Sequence, residues 1–153
     1  MPGKFPSFLS ISRITPYNNI EKEMQLVHQR IRRTQPTAAV GSYSKAVLAG
    51  NTLYISGQTG GGLDGSPPVL GDPAAQARQA CENIKVLLKE AGGDLTHVVK
   101  LTIYITDRAY RDPVYSVIAE YFGPHAPAST GVIVDGLALA EFLVEIDVTA
   151  VLP

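Results

Sequence analysis

Between Asp72 and Gly93 the chain admits one local structure. An aspartate followed by proline sets an N-cap before a residue whose fixed φ and missing N–H suit the first helical position. Ala77, Ala80, Cys81, Ile84, Leu87, Leu88 and Ala91 then recur at spacings of three and four until Gly92 and Gly93 stop the pattern. A helix with one apolar stripe must lay it on another element, and the next segment supplies one. HVVKLTIYITD, residues 97–107, alternates, with Val99, Leu101, Ile103 and Ile105 expected on one face of a strand. Asp107 opens a second helix, in which Val114, Val117, Ile118, Tyr121 and Phe122 form the buried stripe and Gly123 and Pro124 end it. Cys81 lies on the first stripe and reads as a buried, inert thiol rather than a nucleophile.

The flanking segments are strand-like. LVHQRIRR, from Leu26, predicts a first strand, and KAVLAGNTLYISGQ, from Lys45, predicts two strands joined through Gly50 and Asn51. TGGGLDGSPPVLG, from Thr59, is a surface loop, since it lacks the lysine and spacing of a phosphate-binding loop. From Ser129 a short strand precedes a longer one, with Phe142, Val144, Ile146, Val148 and Ala150 facing one way and Leu143, Glu145, Asp147 and Thr149 the other. The order predicts an α+β domain, two helices on one face of a mixed, mostly antiparallel sheet. The second face would carry apolar side chains among its polar ones. That points to a closed homo-oligomer with a ligand cleft at the seam.

Composition narrows the function. With 13 basic and 14 acidic residues the formal charge is −1, so no strong field draws the chain to nucleic acid or an anionic membrane. One cysteine excludes an internal disulfide, and His28, His97 and His125 are too scattered to suggest a metal site; no metal and no cofactor is expected. No run of about 18 apolar residues occurs, and the expectation is a soluble, cytoplasmic protein. Residues 1–23 read as a tail, or as an over-long start upstream of Met24, ahead of a single domain over 24–153. The alternative is a mitochondrial transit peptide, although its prolines spoil an amphipathic helix.

Several blocks, in order, resemble one family: AAVGSYSKAVLAGNTLYISGQTG, AAQARQACENIKVLLKEAG, VVKLTIYITD, AEYFG, PAS and FLVEIDVTA. From Thr37 to Val151 the chain is similar to the RidA (YjgF, endoribonuclease L-PSP) proteins. The resemblance implies a chorismate-mutase-like fold, a homotrimer, and clefts between subunits that hydrolyse imines and enamines of amino acids with release of ammonia. It also implies substrate-binding roles for Tyr43, Ser56 and Gly57, and makes Glu145 the carboxylate that steers the attacking water. At the position of the arginine that grips the substrate carboxylate this chain has Ser129. Tyr115 stands for a frequent asparagine and Gly131 for a cysteine.

A forked arginine–carboxylate contact contributes on the order of 1.5–3 kcal/mol, so its loss weakens binding of 2-imino acids roughly ten- to a hundredfold. Ser129 and Thr130 offer single neutral hydrogen bonds instead, which suggests a ligand without an amino-acid carboxylate. The expected function is therefore an imine/enamine deaminase-like hydrolase of altered specificity. The alternatives are a non-catalytic ligand-binding or chaperone-like trimer and, least supported by a near-neutral chain without tryptophan, an endoribonuclease. Each position also has a plain reading. Glu145 and Asp147 can form a solvated acidic face, Tyr43 and Tyr115 can simply pack, and Ser56 can serve a turn. Arg30, Arg32 and Arg33 either replace the lost arginine or guard an edge strand.

Overall fold

A computed structural model describes residues 28–31 and 43–153. The expectations for residues 1–23, for Arg32 and Arg33, and for the Arg30 side chain lie outside the described residues. The strands are β1 (His28–Ile31), β2 (Ala46–Ala49), β3 (Thr52–Thr59), β4 (Val98–Ile105), β5 (Ala128–Ile133) and β6 (Val144–Val151). The helices are α1 (Pro73–Glu90) and α2 (Arg111–Phe122). The sheet order is β1-β2-β3-β6-β4-β5, antiparallel throughout except for the parallel pair β4 and β5 that flanks α2. Both helices lie on one face, as the patterning predicts.

Local chemistry accounts for the elements. Asp72 Oδ1 accepts the Ala75 N–H at 2.9 Å with Pro73 at the helix start, and Gly50 turns the β2–β3 hairpin at φ +61°. Val144, Ile146, Val148 and Ala150 of β6 are buried under α1, beside Leu53 and Ile55 of β3 and Leu101, Ile103 and Ile105 of β4. The α1 stripe of Ala77, Ala80, Cys81, Ile84, Leu87 and Leu88 closes this core. Burial pushes the Cys81 thiol up to about 12, which keeps it protonated and unreactive.

Two of the predicted faces need correction. Val99 is exposed and Val98 buried, because a bulge between Val98 and Lys100 shifts β4 against β6 and reverses the alternation there. Phe142 is outside β6: its N–H donates to the Leu139 carbonyl, and the turn this closes delays the strand to Val144. Asp107 caps a short 3-10 turn, Arg108–Tyr110, and α2 proper begins one residue later.

The least anticipated feature of the core is polar. Gln76, fully buried, donates from Nε2 to the carbonyls of Val69 and Glu141 and accepts the Leu143 N–H at Oε1, each at 2.9 Å. One side chain thereby joins the glycine-rich loop, α1 and the entry to β6. Asn83 adds a second tie, donating to the Gly61 carbonyl at 2.8 Å. Replacing Gln76 by leucine keeps most of the volume but leaves two carbonyls and an N–H, all partly buried, without their partner. Gln76→Leu should cost roughly 2–4 kcal/mol, read as a lower denaturation midpoint with an unchanged slope.

Candidate functional site

The site begins at a bulge in β3. Ile55 pairs with Val148 and Gln58 with Ile146, so Ser56 and Gly57 together oppose Asp147 on the sheet face away from the helices. Buried Gln58 holds the bulge from behind, donating to the Ser56 carbonyl at 2.8 Å. The Ser56 hydroxyl donates to the Ser44 carbonyl at 2.5 Å, and the Ser56 N–H to the Lys45 carbonyl. These bonds draw the Tyr43–Lys45 segment across the bulge. Lys45 Nζ in turn reaches the Tyr43 hydroxyl at 3.2 Å.

Glu145 lies directly over Gly57. A methyl group at residue 57 would fall 1.8 Å from Glu145 Oε1, so only glycine lets the carboxylate settle there. Partial burial pushes the Glu145 carboxyl above its ordinary value, the neighbouring Asp147 charge adds to this, and Lys45 opposes it. Asp147 accepts a hydrogen bond from the Tyr104 hydroxyl at 3.0 Å. Tyr43, Ser56, Gly57 and Glu145 are thus gathered on the open face, with Lys45, Asp147 and Tyr104, three residues the sequence reading did not assign to the site. Lys45 was legible only as the residue two beyond Tyr43, which puts both on one side of an extended segment.

Ser129, Gly131 and Tyr115 are placed elsewhere. In the parallel register Ser129 stands beside Leu101 and Gly131 beside Ile103, so both face the helices, whereas Thr130, beside Thr102, faces the open side. Thr130 Oγ1 accepts a bond from Lys100 Nζ at 2.6 Å. On the helix side the Tyr115 hydroxyl packs on Gly131, where a methyl group would lie 1.8 Å from it. The Arg111 guanidinium covers the Tyr115 ring, 4.8 Å from its centroid. Within one chain the Glu145 cluster and the Ser129 cluster therefore occupy opposite faces of the sheet. All six residues of β5, which carries Ser129 and Thr130 along the sheet edge, are exposed. Among the described residues no group of three or more His, Cys, Asp or Glu side chains is arranged to hold a metal, and no helix is long and apolar enough to cross a membrane.

Known proteins share this chain's sequence and shape. A family model described as endoribonuclease L-PSP matches residues 32–152. A RutC family protein of Pyrococcus horikoshii is 40% identical over 111 residues, covering 72% of this chain and 87% of that one. A 2-iminobutanoate/2-iminopropanoate deaminase of Bos taurus is 42% identical over 103 residues, covering 67% and 75%. The crystal structure of RidA from an Antarctic Psychrobacter superposes with a TM-score of 0.71 at 37% identity, over 81% of this chain and 99% of that chain.

Two predictions follow from the packing and charge of the two clusters. Because the folded state raises the Glu145 carboxyl, it binds the extra proton. The stability this proton confers is complete below about pH 4 and is lost as pH rises through the raised value. Glu145→Gln keeps the neutral shape at every pH. It should melt with wild type in acid and above wild type at neutral pH, as thermal scans across pH would record. In the second cluster, Gly131→Cys should cost about 1–3 kcal/mol by driving into Tyr115. The same change in a Tyr115→Asn background should cost at least about 1 kcal/mol less, a coupling that a double-mutant cycle measures.

Proposed function

The chain belongs to the RidA (YjgF, endoribonuclease L-PSP) family, and we propose that it hydrolyses imines or enamines, releasing ammonia, with a substrate preference altered from that of the amino-acid-derived 2-imino acids. The observation that carries the reading is Glu145 seated on Gly57: a carboxylate that partial burial raises above its ordinary value, on a face with ordered polar neighbours. Such a group suits proton transfer to and from water.

The chemistry needs few parts. Glu145 accepts a proton from water as the water oxygen bonds to the imine carbon, and the C=N electron pair moves to nitrogen. The proton passes from Glu145 to that nitrogen, giving a carbinolamine whose amino group becomes a leaving group. The carboxylate then takes the carbinolamine hydroxyl proton and delivers it to the amino nitrogen, so that the nitrogen leaves as ammonia as the carbonyl forms and the C–N bond breaks; imine plus water becomes carbonyl compound plus ammonia, with Glu145 again deprotonated. In this reading Ser56, on the bulge beside Gly57, and Tyr43, held by Lys45, border the approach to the carboxylate. No cofactor is required.

We infer a homotrimer from the family resemblance, and the division of the two clusters supports the contact between copies that it requires. Ser129 and Tyr115 cannot face Glu145 of their own chain across the sheet, whereas a second copy laid against the β5 edge would bring its open face to them. Exposed Tyr54 (53%) and Val151 (41%) on or beside that open face give the copies apolar area to bury. In this arrangement each cleft takes Tyr43, Ser56, Gly57 and Glu145 from one subunit and Tyr115, Ser129 and Thr130 from the next. The single neutral hydroxyl at residue 129, in place of a cation, is the basis of the altered preference.

Ammonia release from a panel of imines and enamines generated in solution tests the reading. Wild type should accelerate it for at least one member of the panel. Glu145→Gln should fall about a hundredfold or more in turnover, with folding and assembly intact. A panel that yields no ammonia above the uncatalysed rate would favour a trimer that binds ligands without transforming them.

A further inference from the structure

The open face carries a second carboxylate, Asp147, that no step of the hydrolysis uses. We propose that Asp147, held in place by the Tyr104 hydroxyl, is a positioning residue for the reaction: its fixed negative charge makes Glu145 a stronger acceptor of the water proton, and Lys45 limits that effect from the other side. The proposal rests on the preceding reading of Glu145 as the group that activates water.

Register brings these groups together. Glu145 and Asp147 are alternate residues of β6, both half-buried on one face, with Cα atoms about 6–7 Å apart along the extended strand. Tyr104 is the β4 residue directly opposite Glu145, yet its hydroxyl donates to Asp147 Oδ2 at 3.0 Å. The tyrosine side chain thus crosses diagonally from the Glu145 position to the Asp147 carboxylate, a reach that aromatic residues have on a sheet. The bond orients Asp147 without neutralising it, because a phenol donates and keeps its proton. The Tyr104 hydroxyl is pushed above its ordinary value chiefly by this bond, with burial and the Asp147 charge adding to the rise. No ion pair among the described residues takes up the Asp147 charge, whereas Glu120 is paired with Arg78 and Glu82 with Lys85.

Lys45 comes from the β3 side, opposite to Tyr104. The Ser56 bonds draw its segment across the bulge, and its Nζ rests on the Tyr43 hydroxyl at 3.2 Å instead of on either carboxylate. Glu145 is thereby set between a negative neighbour on its own strand and a positive one beyond the bulge. Partial burial raises its carboxyl most, Asp147 adds to the rise and Lys45 opposes it. Beside Glu145, β3 itself puts only Ser56, Gly57 and Thr59. The other titratable groups of this face are Tyr43, Tyr54 beside Thr149, and Lys100, whose Nζ is bonded to the Leu101 carbonyl and the Thr130 hydroxyl at 3.1 and 2.6 Å. In the proposed cleft the next subunit adds Tyr115 and the Arg111 stacked on it. Asp147 takes no proton itself; it acts on the rate through Glu145.

The experiment follows the Glu145 carboxyl and the reaction separately, on the intact protein. Carbon-13 NMR of glutamate-labelled protein, with Glu145→Gln identifying the signal, gives the titration midpoint without a substrate. Ammonia release from 2-iminobutanoate and from its uncharged amide, corrected for the uncatalysed rate, gives the acidic limb of the pH profile. Removing a negative neighbour favours the charged form of Glu145, and removing a positive one disfavours it. Asp147→Asn should therefore move midpoint and limb to lower pH, and Lys45→Gln should move both to higher pH. Above the limb Asp147→Asn should slow turnover roughly three- to tenfold, because a weaker base takes the water proton less readily. Tyr104→Phe should give part of the Asp147→Asn change and add nothing when the two are combined, as a residue acting through Asp147 must. A Glu145 midpoint unmoved by Asp147→Asn overturns the proposal. Shifts of the same sign in Asp147→Asn and Lys45→Gln also overturn it, since they mark a merely structural effect. A midpoint that moves while the limb stays overturns it too and leaves the hydrolase reading intact. Opposed midpoint shifts without ammonia release from either probe sustain the charge arrangement and remove the hydrolase reading.

Discussion

The structure depends on one strand having two unlike faces. β6 lies between β3 and β4, and the burial of Val144, Ile146, Val148 and Ala150 under α1 commits every neighbouring strand to a register. Once that face is turned inward, Glu145, Asp147 and Thr149 are turned outward by the pleat alone. The Glu145 carboxylate is thus aimed by the same alternation that makes the core, and no loop has to hold it. The bulge at Ser56 and Gly57 completes the placement, adding a residue opposite Asp147 and clearing space for Glu145.

Stability and chemistry pull against each other at this point. A half-buried carboxylate beside a second acidic residue is a poor choice for a sheet face if folding alone is considered. The remainder of the fold is strongly tied, through Gln76 and Asn83 beneath the loop and through the Tyr121 and Glu82 contact between the helices, at 2.6 Å. These ties let the exposed face carry groups that a weaker domain would not tolerate.

Much of the architecture was legible in local patterns. The cap at Asp72, the stripe through Leu88 and the inward set of β6 from Val144 to Ala150 are each properties of consecutive residues and hold, Phe142 alone falling outside the strand. What escaped depends on pairing across the sheet. Val99 was misplaced because the bulge that exposes it is written in the match between β4 and β6, not in β4 alone. Gln76 gave no signal, since an amide in an apolar stripe declares its role only when three distant backbone groups converge on it. The separation of Glu145 from Ser129 was hidden for the same reason: each sits on a strand, and which face each takes is decided by register. Arg111 and Tyr115, at helical spacing of four, were open to notice as a stacked pair, but nothing local tied them to Gly131.

The contact between Tyr115 and Gly131 also ties two positions far apart in the chain. A side chain at residue 131 would meet the Tyr115 hydroxyl, so the ring and the glycine must be exchanged together if the local packing is to be kept. Strand and helix are thereby coupled at one atom: whatever displaces the tyrosine tip also displaces the Arg111 guanidinium stacked on its ring.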